Sequence, residues 1–180
     1  MGVAASKQPR PFLFLEPREL LEGAGPDPVG LRALHEICEE CLPLLVRSLV
    51  NHTIARSNEV ALRPQPIAMT VLNRRRRAAR SWLLAIVNGA VDAATSYQVA
   101  EQWLPLLCGT GPDRTHWIGA AQRLVEFVRG AITACIFDAP TENLLTQARA
   151  LHVMETILAH QLAWIERAVD RRAVPAESLA

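Results

Sequence analysis

Residues 31–49 read Leu-Arg-Ala-Leu-His-Glu-Ile-Cys-Glu-Glu-Cys-Leu-Pro-Leu-Leu-Val-Arg-Ser-Leu, and their spacing decides the fold class. Leu31, Leu34, Cys38, Cys41 or Leu42, Leu45 and Leu49 recur at intervals of three and four. An α-helix turns once in about 3.6 residues, so these intervals place the side chains on one stripe. The pattern predicts a helix from Leu31 to Arg56. Pro43 interrupts it, and proline lacks a backbone donor and crowds the carbonyl four residues earlier, so a kink or a split is expected there.

The same period continues down the chain. A second helix is expected from Pro66, a suitable first-turn proline, to Ala94, with Ile67, Val71, Leu72, Ala79, Leu83, Ile86, Val87 and Val91 apolar. Asn88-Gly89 falls inside this pattern and is read as helical. A third, shorter helix covers Ser96 to Leu107. Gly109-Thr110-Gly111-Pro112 breaks the chain, and Asp113 or Thr115 can cap a fourth helix that ends near Phe137. Thr141 is expected to open the last helix, which runs to Arg172 on a stripe of Leu144, Leu145, Ala148, Leu151, Met154 or Glu155, Leu158, Leu162 and Ile165. No window alternates apolar and polar residues as a half-buried strand would. The fold class is therefore all-α, an antiparallel helical bundle of about five helices. Pro9, Pro11, Pro17, Pro26 and Pro28 make residues 1–28 an irregular Pro-rich tail. Residues 29–172 form a single bundle domain, and residues 173–180 a C-terminal tail.

Half of the residues are hydrophobic, and 19 basic residues balance 18 acidic ones. A near-neutral chain lacks the basic excess of a dedicated nucleic-acid binder, and its weak self-repulsion permits a homodimer. The most apolar window, 82–94, is shorter than the ~20 residues of a membrane span and contains Asn88 and Asp92. Near the N-terminus the apolar run of Phe12 to Leu15 stops at Glu16-Pro17, too short for a secretion signal. The expected address is cytoplasmic, where Cys38, Cys41, Cys108 and Cys135 stay reduced.

Five groups of residues invite a functional reading. His35-x-x-Cys38-x-x-Cys41 offers imidazole and thiolate, the ligands zinc prefers, and also a dithiol. It is one half-motif where structural zinc sites pair two, and Glu39 and Glu40 disfavour reactive thiolates. Cys38 and Cys41 also lie on the apolar stripe, where cysteine packs as a small hydrophobe. Arg74-Arg75-Arg76-Arg77 with Arg80 is a basic cluster on a helix. Arg74, Arg75, Arg77 and Arg80 are assigned to partner binding beside the simpler reading of a solvated face, and the absence of interleaved aromatics argues against nucleic acid. Phe12 and Phe14 form either a docking segment for the same partner or a strap against the domain.

The fourth group rests on an echo. Gly89-Ala90 and Gly130-Ala131 both fall mid-helix, where glycine costs about 1 kcal/mol against alanine. Two close helix crossings explain this, and a ligand pocket with Trp82, Trp103 and His152 is the functional alternative; His152 or His160 could then be an axial haem ligand. Fifth, Met1-Gly2-Val3-Ala4-Ala5-Ser6-Lys7 fits an N-myristoylation signal at Gly2, which would place the protein on the cytoplasmic face of a membrane.

No phosphate loop, dinucleotide fingerprint, nucleophile elbow or His-Glu-x-x-His helix is present. The expectation is a non-enzymatic regulatory or adaptor protein, without a cofactor, acting on another protein as a homodimer. The alternatives are a small-molecule, haem or thiol-redox sensor and a myristoylated peripheral membrane protein.

Overall fold

The first helix begins with a local hydrogen bond. Asp27 accepts from the Val29 backbone N–H at 3.0 Å, and Pro28 occupies the first helical position, where a missing N–H costs nothing. A computed structural model describes residues 26–60, 66–108, 114–140 and 143–173 of the chain. Among these residues there are five helices and no strand. They are α1 (Pro28–Val60), α2 (Met69–Val87), α3 (93–108), α4 (Arg114–Asp138) and α5 (Leu144–Ala173). The all-α helical bundle predicted from periodicity is the observed architecture. No described helix is long and apolar enough to cross a membrane.

Helix α1 is not split at Pro43; it continues for 33 residues. Pro43 and Glu39 both face solvent, so the Glu39 carbonyl that loses its helical donor remains accessible to water. The inner stripe is as the spacing predicts, with Leu34, Cys38, Leu45 and Leu49 all buried.

Helix α2 ends at Val87, earlier than the Ala94 expected from the apolar pattern. Gly89 adopts φ 69°. Its N–H donates to the Ile86 carbonyl at 3.0 Å, and the Ala90 N–H donates to the Ala85 carbonyl at 2.8 Å. These crossed bonds are the Schellman closure, which favours glycine at the left-handed position. Asn88-Gly89 is thus a helix stop and not a mid-helix pair. Asp92 restarts the chain by accepting from the Thr95 N–H at 2.8 Å, and that hydrogen bond holds its carboxyl below the usual range.

Helix α3 is Ala93–Gln98, a π-helical turn Val99–Trp103, and Leu104–Cys108. The π turn has a cause in the sequence. Pro105 cannot donate to Glu101 and would crowd its carbonyl, and widening the preceding turn so that Leu104 N–H reaches the Val99 carbonyl relieves that contact.

The last helix departs from its predicted stripe at the start. Leu144, Leu145 and Ala148 are exposed, and the inward positions of the first turns are Gln147 and Ala150. Gln147 is drawn in because its amide donates to the Ile136 carbonyl at 3.1 Å, satisfying a carbonyl near the end of α4. Asn143, and not the expected Thr141, caps α5 by accepting from Leu145 N–H at 3.0 Å; Thr141 lies outside the described residues.

Helix α1 makes its most extensive contact with α5, which packs next against α4. The bonds of Gln147 to Ile136 and of Arg129 to Glu155, the latter 3.0 Å long, show α4 and α5 antiparallel. At the head of α1, Gly30 permits a close approach to α5: a β-carbon there would sit 2.8 Å from the Arg149 carbonyl oxygen. The core runs through Leu34, Leu49, Trp82, Ile86, Ile132, Ile136, Ile157 and Leu158.

Candidate functional site

Three features of this scaffold combine exposure or burial with chemistry. The first is a cleft of about 350 Å³ between α1 and the end of α4, lined by Glu36, Ile37, Glu40, Cys41, Cys135, Asp138, Ala139 and Pro140. Helical spacing places Cys38 and Cys41 on neighbouring turns, with Cys38 wholly buried in the core and Cys41 half-buried at the cleft. The thiol that meets Cys41 across the helix interface is Cys135, and both line the cleft. Burial, then the neighbouring Cys41, then the charge of Asp138 push the Cys135 thiol up to about 12. Burial first, with the neighbouring sulfurs adding to it, pushes Cys38 up to about 12 as well. The motif His35-x-x-Cys38-x-x-Cys41 is therefore not the unit the fold assembles. Among the described residues no group of three or more His, Cys, Asp or Glu could hold a metal ion. His52 stacks on Phe127 with ring centroids 4.1 Å apart. The Cys135 half of the pair was invisible to spacing because it lies on another helix.

The second feature is the arginine run. On α2 the last turns are buried, from Ala78 and Ala79 through Trp82, Leu83, Ile86 and Val87. The first turns are not: Met69 is 63% exposed and Val71 41%. Arg74, Arg76, Arg77 and Arg80 face solvent, whereas Arg75 turns inward and is half-buried. The arginines of the predicted partner face thus divide, with Arg76 taking the place of Arg75. Charge along the chain is segregated around this helix, because residues 44–90 contain eight arginines and a single glutamate. The cleft, by contrast, is rimmed by Glu36, Glu40 and Asp138.

The third feature is a buried polar seam on α5. His160 and Gln161 are 3% and 1% exposed. Gln161 Oε1 accepts from Trp82 Nε1 at 2.8 Å. His160 donates to the Val91 carbonyl in the α2–α3 turn, and its ring tilts against Trp164 at 6.5 Å. Its Nε2 has no hydrogen-bond partner among the described residues, so the donating nitrogen is Nδ1. Desolvation holds the His160 pKa below its ordinary value, with Arg167 adding to the effect and the Val91 carbonyl and Asp92 opposing it. A lowered histidine pKa stabilises the fold fully above the unfolded value of about 6.5, and that contribution is lost as the pH falls below it. The urea midpoint should therefore drop between pH 8 and pH 5.5, and His160→Asn should flatten that drop. An unchanged slope in the variant would remove His160 as its source.

The residues grouped from sequence as a ligand pocket are not gathered. Trp82 is sealed in the core, Gly89 terminates α2 against Leu31, and Trp103 is half-buried on α3. His152 faces solvent, and a β-carbon on Gly130 would meet nothing within 4 Å, so the glycine echo marks neither a pocket nor a second close crossing. Phe12, Phe14 and Gly2 lie outside the described residues. A further exposed apolar group lies at the α4–α5 turn: Phe137, Leu144 and Leu145 are 61%, 78% and 62% exposed, the two leucines being ones the α5 stripe had assigned to the core.

No protein-family model, no curated protein and no solved structure matches this chain.

Proposed function

We propose that this protein is a non-catalytic interaction module that takes an acidic partner protein on the first turns of α2. One observation carries the reading: Met69 and Val71 are exposed on the same turns that present Arg74, Arg76 and Arg77. Arginine and methionine are enriched at protein interfaces, and the planar guanidinium pairs with carboxylates through two parallel hydrogen bonds. The surrounding basic segment adds long-range attraction for an acidic surface. Nucleic acid fits less well, since the one aromatic residue of α2 is Trp82, which is in the core. The apolar group at the α4–α5 turn supports the accompanying proposal of a homodimer, because exposed clusters of this kind mark contact sites.

The test is the double variant Arg74→Glu/Arg77→Glu, whose positions are exposed, so helicity and thermal stability should not change. Native mass spectrometry of complexes recovered from the host should show the partner reduced roughly tenfold or more, with the wild-type complex weakening steeply in salt. The same spectra report the mass of any homodimer. Undiminished partner recovery, or recovery only of nucleic acid or lipid, would reject the α2 reading.

A further inference from the structure

Cys41 and Cys135 are far apart in sequence, yet the fold brings the two thiols together across the α1–α4 interface, where both line one cleft. That cleft is open, so a small solute reaches them from solvent. Cys38 stands one helical turn behind Cys41 and is fully buried, which removes it from that solute's path. A thiol pair in contact at the floor of a cleft meets the main requirements of disulfide chemistry, which are proximity and access.

We propose that Cys41 and Cys135 form a reversible oxidation site that closes a disulfide between α1 and α4 in response to peroxide. The Cys41 thiolate attacks one oxygen of hydrogen peroxide and the O–O bond breaks. Cys41 becomes a sulfenic acid, and the departing hydroxide takes up the proton that Cys41 released and leaves as water. The Cys135 sulfur then attacks the Cys41 sulfur. The S–S bond forms, the S–O bond breaks, and the hydroxyl leaves as a second water with the Cys135 proton. The two thiols lose two electrons and the peroxide gains them. A small dithiol reverses the reaction by exchange. Cys135 suits the resolving role, because burial raises its thiol pKa and disfavours it as the first attacker. The carboxylates of Glu36, Glu40 and Asp138 at the rim disfavour the thiolate and so make the oxidation slow, and they select the oxidant by charge. Uncharged peroxide enters freely, whereas anionic glutathione disulfide is repelled.

The experiment treats the reduced, folded full chain with hydrogen peroxide and reads intact mass and a non-reducing peptide map. The expected product has lost about 2 Da, maps to a Cys41–Cys135 link, and returns to the starting mass with dithiothreitol. Closing so long a loop should raise Tm by roughly 10 °C. Cys41→Ser and Cys135→Ser should each abolish the 2 Da loss, and Cys38→Ser should retain it. Glutathione disulfide should oxidise the chain several-fold more slowly than the dicationic disulfide cystamine at low salt, with the gap closing in high salt. A Cys38–Cys41 link, a link through Cys108, or persistence of the 2 Da loss in Cys135→Ser would overturn the proposal. So would a folded chain that stays reduced under peroxide that oxidises the same chain in denaturant.

Discussion

Trp82→Ala should lower the stability of the fold by about 3–5 kcal/mol, near the upper end of that range. The side chain is 0% exposed and lies in the continuous core. Its removal opens a large apolar cavity and also leaves the buried Gln161 amide without the indole N–H that it accepts at 2.8 Å. The two losses can be separated. Trp82→Phe keeps most of the apolar volume and removes the donor, which should cost about 1–3 kcal/mol through the stranded Gln161 carbonyl. Adding Gln161→Leu to the Trp82→Phe variant should recover part of that cost, because an apolar pair is better than a half-satisfied polar one. Urea unfolding of the wild type, Trp82→Phe, Gln161→Leu and the double variant closes a double-mutant cycle. A loss below about 1 kcal/mol for Trp82→Ala would contradict this packing.

The next largest effect is expected at Gly30. An alanine β-carbon there would lie 2.8 Å from the Arg149 carbonyl oxygen and 2.8 Å from Val153 Cγ2. The first of these atoms is backbone within α5 and cannot rotate away, so the head of α1 must lift from α5. Overpacking of this kind costs about 1–3 kcal/mol. Lifting α1 would also strain the neighbouring ion pair, in which Arg149 Nε lies 3.7 Å from Asp27 Oδ2. Gly130→Ala has the opposite sign. It sits inside α4 with nothing within 4 Å of the new atom, so the gain in helix propensity of about 0.5–1 kcal/mol is unopposed. Thermal unfolding of the two variants should therefore move in opposite directions. Equal shifts would mean that the α1–α5 crossing is not as close as described.

These two glycines also show what could be read in the sequence. Helical period and loop punctuation carry the fold class, and α1 buries the residues its spacing predicts. What a one-dimensional pattern lacks is the partner of each residue. Gly30 carries no periodic signal, yet it is where α1 approaches the α5 backbone closely. Gly89 looked like a crossing because apolar residues continue past it, yet its left-handed φ and crossed hydrogen bonds close α2. Gln147 broke the expected stripe by satisfying a carbonyl near the end of α4, which left Leu144 and Leu145 outside. The thiol motif failed in the same way, since Cys41 meets Cys135 on another helix. Within the arginine run, period alone could not say that Arg75 turns inward while Arg76 faces solvent.

Site-specific photo-crosslinking in the living host tests whether the first turns of α2 hold a protein partner. A photoreactive side chain would be placed at Val71, 41% exposed beside the arginines, and in a control at Gly130, which opens to solvent on α4. A discrete adduct with an acidic protein is expected from position 71, none from position 130, and loss of the adduct when Arg74 and Arg77 are changed to Glu. Equal labelling from both positions, or an adduct that survives the charge reversal, would contradict a partner site on α2.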